Sequence, residues 1–171
     1  MQLIKGGRIA ADGFVRLADD APVPSRVPVI VSASRFFTDA ETLLRRDAPA
    51  GVIWPNDRRV TELAPYLPSL ALVALVFPTF KDGRAFSQAR LIRERYGFRG
   101  ELRATGQVLR DQFLFMLRAG FDAFEVTKDA DAAAFAQATR RYSVFYQPTG
   151  DGRITALHQR MQQRHSESAD G

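Results

Sequence analysis

Not one of the 171 residues is a cysteine, which excludes disulfides, thiolate-held zinc, cysteine-ligated iron–sulfur clusters and thiol redox couples. Any electron transfer would need a bound cofactor, and the sequence names none. Histidine is almost as scarce: His158 and His165 both lie in the polar C-terminal stretch, with no acidic or nucleophilic partner at catalytic spacing. No GxGxxG follows a strand-like run, no GxxxxGK[ST] occurs, and no His or carboxylate cluster has zinc spacing. Dinucleotide, P-loop and zinc chemistry therefore have no sequence basis. No apolar run approaches the ~20 residues that span a bilayer, and the first residues lack the apolar core and cleavage site of a secretory signal. The expected location is the cytoplasm, without membrane attachment.

What is present is an ordinary globular composition, 46% apolar and 25% charged, with a net charge of +5 and a pI near 10.1. Such a balance favours anionic partners: small oxyanions, nucleotides, acidic proteins or nucleic acid. Charge alone does not choose among them. Nucleic acid has the least support, because Phe77, Phe80, Phe86, Phe113, Phe115, Phe121 and Phe124 read as core and not as an exposed stacking platform.

Residues 1–26 read as an N-terminal hairpin or arm with a linker, 27–147 as an α/β domain, and 148–171 as a polar tail expected to be disordered. In the arm, LIKGGRIA and FVRLA are short alternating runs, and Asp19 to Pro28 is a proline-rich link. Apolar strands follow at Val27–Ala33, Gly51–Pro55 and Leu70–Pro78. Thr38, three residues before Glu41, is a candidate helix cap, and Thr61 begins a weak helix kept short by Pro65 and Pro68. A helix capped by Ser87 is expected to run to Tyr96 and stop at Gly97. Next come strand Glu101–Thr105, helix Gln107–Ala119 with a stop at Gly120, strand Asp122–Val126, helix Ala130–Arg141 and strand Ser143–Gln147.

That rhythm of about 22 residues is the mark of repeated βα units with a mainly parallel sheet. Two architectures fit: an open three-layer sheet, or a partial βα barrel. Glu101, Arg103 and Thr105 alternate with Leu102 and Ala104, so this strand either nears a sheet edge or turns its polar face into a barrel-like interior. Arg103 and Glu125, on consecutive strands, could form a buried ion pair.

Ligands of parallel α/β folds collect at the carboxyl ends of strands, and the loop Pro78–Phe86 occupies that position. It offers an anion site built from Lys81, Arg84 and Ser87, with Arg110 reaching in from the next strand end and Asp82 as candidate acid or base. The competing interpretation is an Asp-Gly turn in which Asp82 bonds its own backbone. On the following helix, Arg90, Arg93 and Arg95 could dock an acidic protein, or simply form a solvated face with local ion pairs.

FPTFKDGRAF, SQAR and GELRATGQVLRDQ, together with the opening LIKGGRI and VRLADDAPVP, resemble a bacterial family of unknown function whose members are described as oxidoreductases of sulfite reduction. The resemblance covers most of the chain up to Tyr146. It implies an accessory protein or oxidoreductase component of assimilatory sulfite reduction, in sulfate assimilation and cysteine biosynthesis, with sulfite reductase or its electron donor as partner. It supplies no catalytic residues. The alternative carried by the residues themselves is a small-oxyanion or nucleotide-binding enzyme.

Overall fold

The computed structural model describes residues 2–79, 81–127 and 133. Apart from Ala133, the helix expected over Ala130–Arg141 lies outside the described residues. So do Phe80, the strand expected over Ser143–Gln147, and the tail with His158 and His165.

Eight strands form one sheet in the order β2-β1-β8-β7-β6-β5-β4-β3. The first three are β1 (Gln2–Lys5), β2 (Arg8–Ala10) and β3 (Val15–Arg16). They are followed by β4 (Val29–Ser32), β5 (Ala50–Trp54), β6 (Leu72–Phe77), β7 (Glu101–Gly106) and β8 (Ala123–Val126). From β3 to β8 each strand pairs in parallel with the next in sequence. The antiparallel hairpin β1–β2 adds to the outer edge of β8. Gly6 and Gly7, at φ 59° and 72°, supply the two left-handed residues that a tight hairpin turn needs. The hairpin thus closes within LIKGGRIA, and VRLA instead begins the parallel series.

Because sequential strands are neighbours, their connections stack on one side. The helices are α1 (Ala33–Leu44), α2 (Arg84–Arg90) and α3 (Phe113–Ala119). Phe36 and Leu43 of α1, Ala85 and Ala89 of α2, and Phe113 and Met116 of α3 share one core with Val31, Val52, Trp54, Val73, Leu75, Ala104 and Phe124 of the strands. Each fully buried large apolar side chain there contributes roughly 1.5–3 kcal/mol. The opposite face holds a smaller cluster, Ile30, Leu72 and Ala74 under Phe14 and Ile53, and beside it a set of charged residues.

The sheet is curled into a half-barrel. β2 ends at Ala10 and β3 starts at Val15, so the link between the two edge strands reaches at most about 18 Å. In a flat eight-stranded sheet those edges would stand about 34 Å apart. The partial-barrel alternative is the one the described residues adopt.

Three local expectations are corrected. Ser32, not Thr38, caps α1: its hydroxyl accepts from the Arg35 N–H at 3.2 Å, while Thr38 sits inside the helix and donates back to the Ser34 carbonyl. Ser87 does not cap α2, which begins at Arg84 after Gly83. The helix expected from Gln107 starts later, with a 3-10 turn Arg110–Gln112 leading into α3. The proline-rich link between β3 and β4 is pinned to the domain by Arg35, which donates to the Ala18 and Ala21 carbonyls. Arg46 adds hydrogen bonds to the Pro24 carbonyl at 2.7 Å and the Val27 carbonyl at 3.1 Å.

Candidate functional site

The loop after β6 carries Lys81, Asp82 and Arg84 at the carboxyl end of the sheet. Asp82 accepts the Arg84 N–H at 3.2 Å and closes a side-chain pair with the same residue, Nη2 to Oδ2 at 2.6 Å and Nε to Oδ1 at 3.0 Å. The Arg84 guanidinium holds the Asp82 carboxyl far below the usual carboxylate range, and Asp82 in turn raises the pKa of Arg84. An aspartate so placed has no proton to give at neutral pH and little affinity for one, which argues against an acid or base role. Asn56, in the loop after β5, is buried. Its Nδ2 has no partner in hydrogen-bonding geometry among the described residues. Ser87 is exposed in the body of α2, and Arg110 is exposed at the start of the 3-10 turn. Among the described residues Arg110 makes no ion pair.

The helix continuing from α2 separates the three arginines considered for docking. Leu91–Arg95 forms a wide π-type turn in which the Tyr96 N–H reaches back to the Leu91 carbonyl. Ile92 is buried, and Arg93 swings inward. Its Nε donates to the Gly120 carbonyl at 2.9 Å and its Nη1 to the Phe98 and Gly100 carbonyls at 2.7 and 2.9 Å. Its Nη2 meets Asp122 at 2.7 Å. Burial lowers the Arg93 pKa against the pull of Asp122. Arg90 and Arg95 stay exposed on either side of Leu91, itself 41% exposed, and Arg95 lies over the Tyr96 ring at 5.8 Å. Regular helical phase would have placed Arg90 and Arg93 on one face; the extra residue in the wide turn changes the phase.

The third constellation fills the concave face. The Arg103 guanidinium, 1% exposed, donates to both Asp12 oxygens at 2.7 and 2.9 Å, to Glu101 Oε1 at 2.8 Å and to Glu125 Oε1 at 3.0 Å. Glu125 also accepts from the Thr105 hydroxyl and from Arg16 Nη2 at 2.9 Å, and Lys5 Nζ reaches Glu101 at 2.9 Å. Burial works against the charge on Arg103, but its carboxylate partners outweigh burial and raise its pKa. The Arg103–Glu125 pair follows from their places on neighbouring strands. Asp12, Arg16 and Lys5 carry no local signal that would have joined them to it, since each arrives from a segment distant in sequence. Among the described residues no group of three or more His, Cys, Asp or Glu side chains could hold a metal ion, and no helix there is long and apolar enough to cross a membrane.

Residues 51–157 match the profile of a family described as "Bacterial protein of unknown function (DUF934)". The chain belongs to this family. None of the curated proteins matches it. The DUF934 region contains the β6 loop, α2 with its wide turn, and both Arg103 and Glu125, whereas Lys5, Asp12 and Arg16 precede it.

Proposed function

We propose that this DUF934 protein is an accessory component of assimilatory sulfite reduction that docks on an acidic surface of sulfite reductase or its electron donor. The observation that carries the docking is the outer side of α2 and its wide turn. There Arg90, Leu91 and Arg95 are all exposed, with one acidic residue, Glu94, among them, and arginine beside exposed apolar surface is enriched at interaction surfaces. The excess of five positive charges favours the same kind of partner, and such charge mainly accelerates encounter and selects against basic surfaces. The sulfite step comes from the family resemblance of the F-P-x-F-x-D-G-R and G-E-L-R-A stretches.

The test is binding of the purified protein to sulfite reductase and to its electron donor at low salt, compared with an Arg90→Glu/Arg95→Glu protein. Binding that weakens as salt rises and drops at least tenfold on charge reversal is the expected result. No binding by the parent at low salt, or equal binding by the reversed protein, would remove the docking reading.

A further inference from the structure

Five of the six ionised side chains in the concave network stand on strands: Lys5, Arg16, Glu101, Arg103 and Glu125. Asp12 does not. It sits in the four-residue link between β2 and β3, is 39% exposed, and has exposed neighbours in Ala11 and Gly13. A Cβ on Gly13 would meet nothing within 4 Å. Beyond its bonds to Arg103, Asp12 accepts, among the described residues, only the Phe14 N–H of its own loop, at 3.0 Å. The C-terminal end of the link is anchored by Phe14 over Ile30, Leu72 and Ala74, so the exposed part, Ala11 to Gly13, is tied to the network by one two-pronged carboxylate–guanidinium contact.

We infer that Arg103 is a binding site for a small monoanion with two oxygens side by side, such as a carboxylate, and that Asp12 occupies this site until a ligand displaces it. The geometry sets the ligand's shape: Arg103 Nη1 and Nη2 already present parallel donors to two oxygens of one carboxylate, the arrangement in which guanidinium recognition is strongest. Charge sets its valence. Lys5, Arg16 and Arg103 supply three positive charges, and Asp12, Glu101 and Glu125 supply three negative ones. Withdrawal of Asp12 leaves a single uncompensated positive charge in a buried place, which one monoanion neutralises and a dianion overfills.

Space for the ligand adjoins the contact. A cavity of about 210 Å³ is lined by Gln2, Leu3, Ile9, Ala10, Asp12 and Glu125. Gln2, one of the lining residues, also carries an Oε1 that is buried without a hydrogen-bond partner among the described residues. This site is separate from the α2 docking face and does not depend on it.

Glycolate, with a carboxylate and one hydroxyl, is the probe. Its binding is followed by the amide shifts of Phe14 and Arg103 in the full-length protein at constant ionic strength, with chloride as control. The parent must bind glycolate saturably, and Asp12→Ala must bind it at least tenfold more tightly, because the competing carboxylate is gone. Adding Arg103→Lys to Asp12→Ala must abolish the gain. Asp12→Asn, which keeps the side-chain shape, serves in the same comparison if Asp12→Ala does not fold. Equal affinities in parent and variant, absence of saturable binding in the parent, or a gain that persists with Lys at position 103, would each overturn the inference.

Discussion

Arg16 and Glu125 stand on the first and last strands of the parallel series, with four strands between them, yet Arg16 Nη2 lies 2.9 Å from Glu125 Oε2. In a flat sheet those strands would be about 24 Å apart. Side chains of this length can meet only if the sheet curls toward itself, so the ion pair and the half-barrel are one fact. Curling also explains why the alternation of Glu101, Arg103 and Thr105 is tolerated. The polar face of β7 turns into an interior where each charge finds its counter-charge.

Breaking that network from its centre is expected to be costly. Arg103→Ala leaves Asp12, Glu101 and Glu125 facing one another without their shared cation, and loss of one member of a buried ion pair costs about 3–5 kcal/mol. Arg16→Ala, at a side chain 45% exposed, is expected to cost about 1 kcal/mol or less. Urea unfolding of the three proteins measures both differences.

Acid should release Asp12 and neutral pH should weigh on Asp122. Burial acts to raise the Asp12 pKa, but hydrogen bonds from Arg103 and the Phe14 N–H outweigh it and the pKa is lowered. Its contribution to stability is therefore present above the unfolded value of about 3.9 and is lost as pH falls through the lower folded value. Asp122 is the reverse case. Desolvation raises its pKa despite Arg93 and the Leu102 N–H, an effect that solvent weakens because the side chain is 47% exposed, so a small favourable contribution is full below about 3.9 and is lost as pH rises through the folded value. Unfolding free energies from pH 2 to 7 should show the gap between parent and Asp12→Asn closing at low pH. The advantage of Asp122→Asn over the parent should grow toward neutral pH, offset by the lost pairing with Arg93.

Arg93 and Arg90 are expected to separate cleanly. Arg93→Ala removes hydrogen bonds to three carbonyls and an ion pair, and a loss of about 3 kcal/mol is expected from charged hydrogen bonds in a half-buried place. Arg90→Ala should change stability by no more than about 0.5 kcal/mol while weakening partner binding. Thermal unfolding and the binding assay, run on both proteins, check the division.

Gly120 ends α3 at φ 103°, and a Cβ there would lie 2.5 Å from Arg93 Cγ. Gly120→Ala combines left-handed strain with that collision, and a loss of about 2 kcal/mol is expected, read from the shift in urea midpoint at unchanged slope.

Much of the framework was legible in the residues. Val29–Ser32, Ala50–Trp54 and Leu72–Phe77 are dense in β-branched and apolar side chains because helices cover one face and a filled interior the other. Gly97 and Gly120 marked helix ends through their left-handed conformations. The start of α1 was misread because Ser32 and Thr38 are both competent caps, and only the strand end fixes which one is used. Arg93 was misread because one wide turn changes helical phase without altering composition. Asp12 was beyond reach for a different reason: its partner is 91 residues away, and no local pattern reports a contact made by sheet curvature.

Growth of a deletion strain on sulfate, sulfite or sulfide as sole sulfur source is the direct test of the proposed role at the sulfite-to-sulfide step. Failure on sulfate and sulfite, rescue by sulfide, and complementation by the parent gene but not by the Arg90→Glu/Arg95→Glu form are the expected results. Normal growth of the deletion strain on all three sources would contradict it.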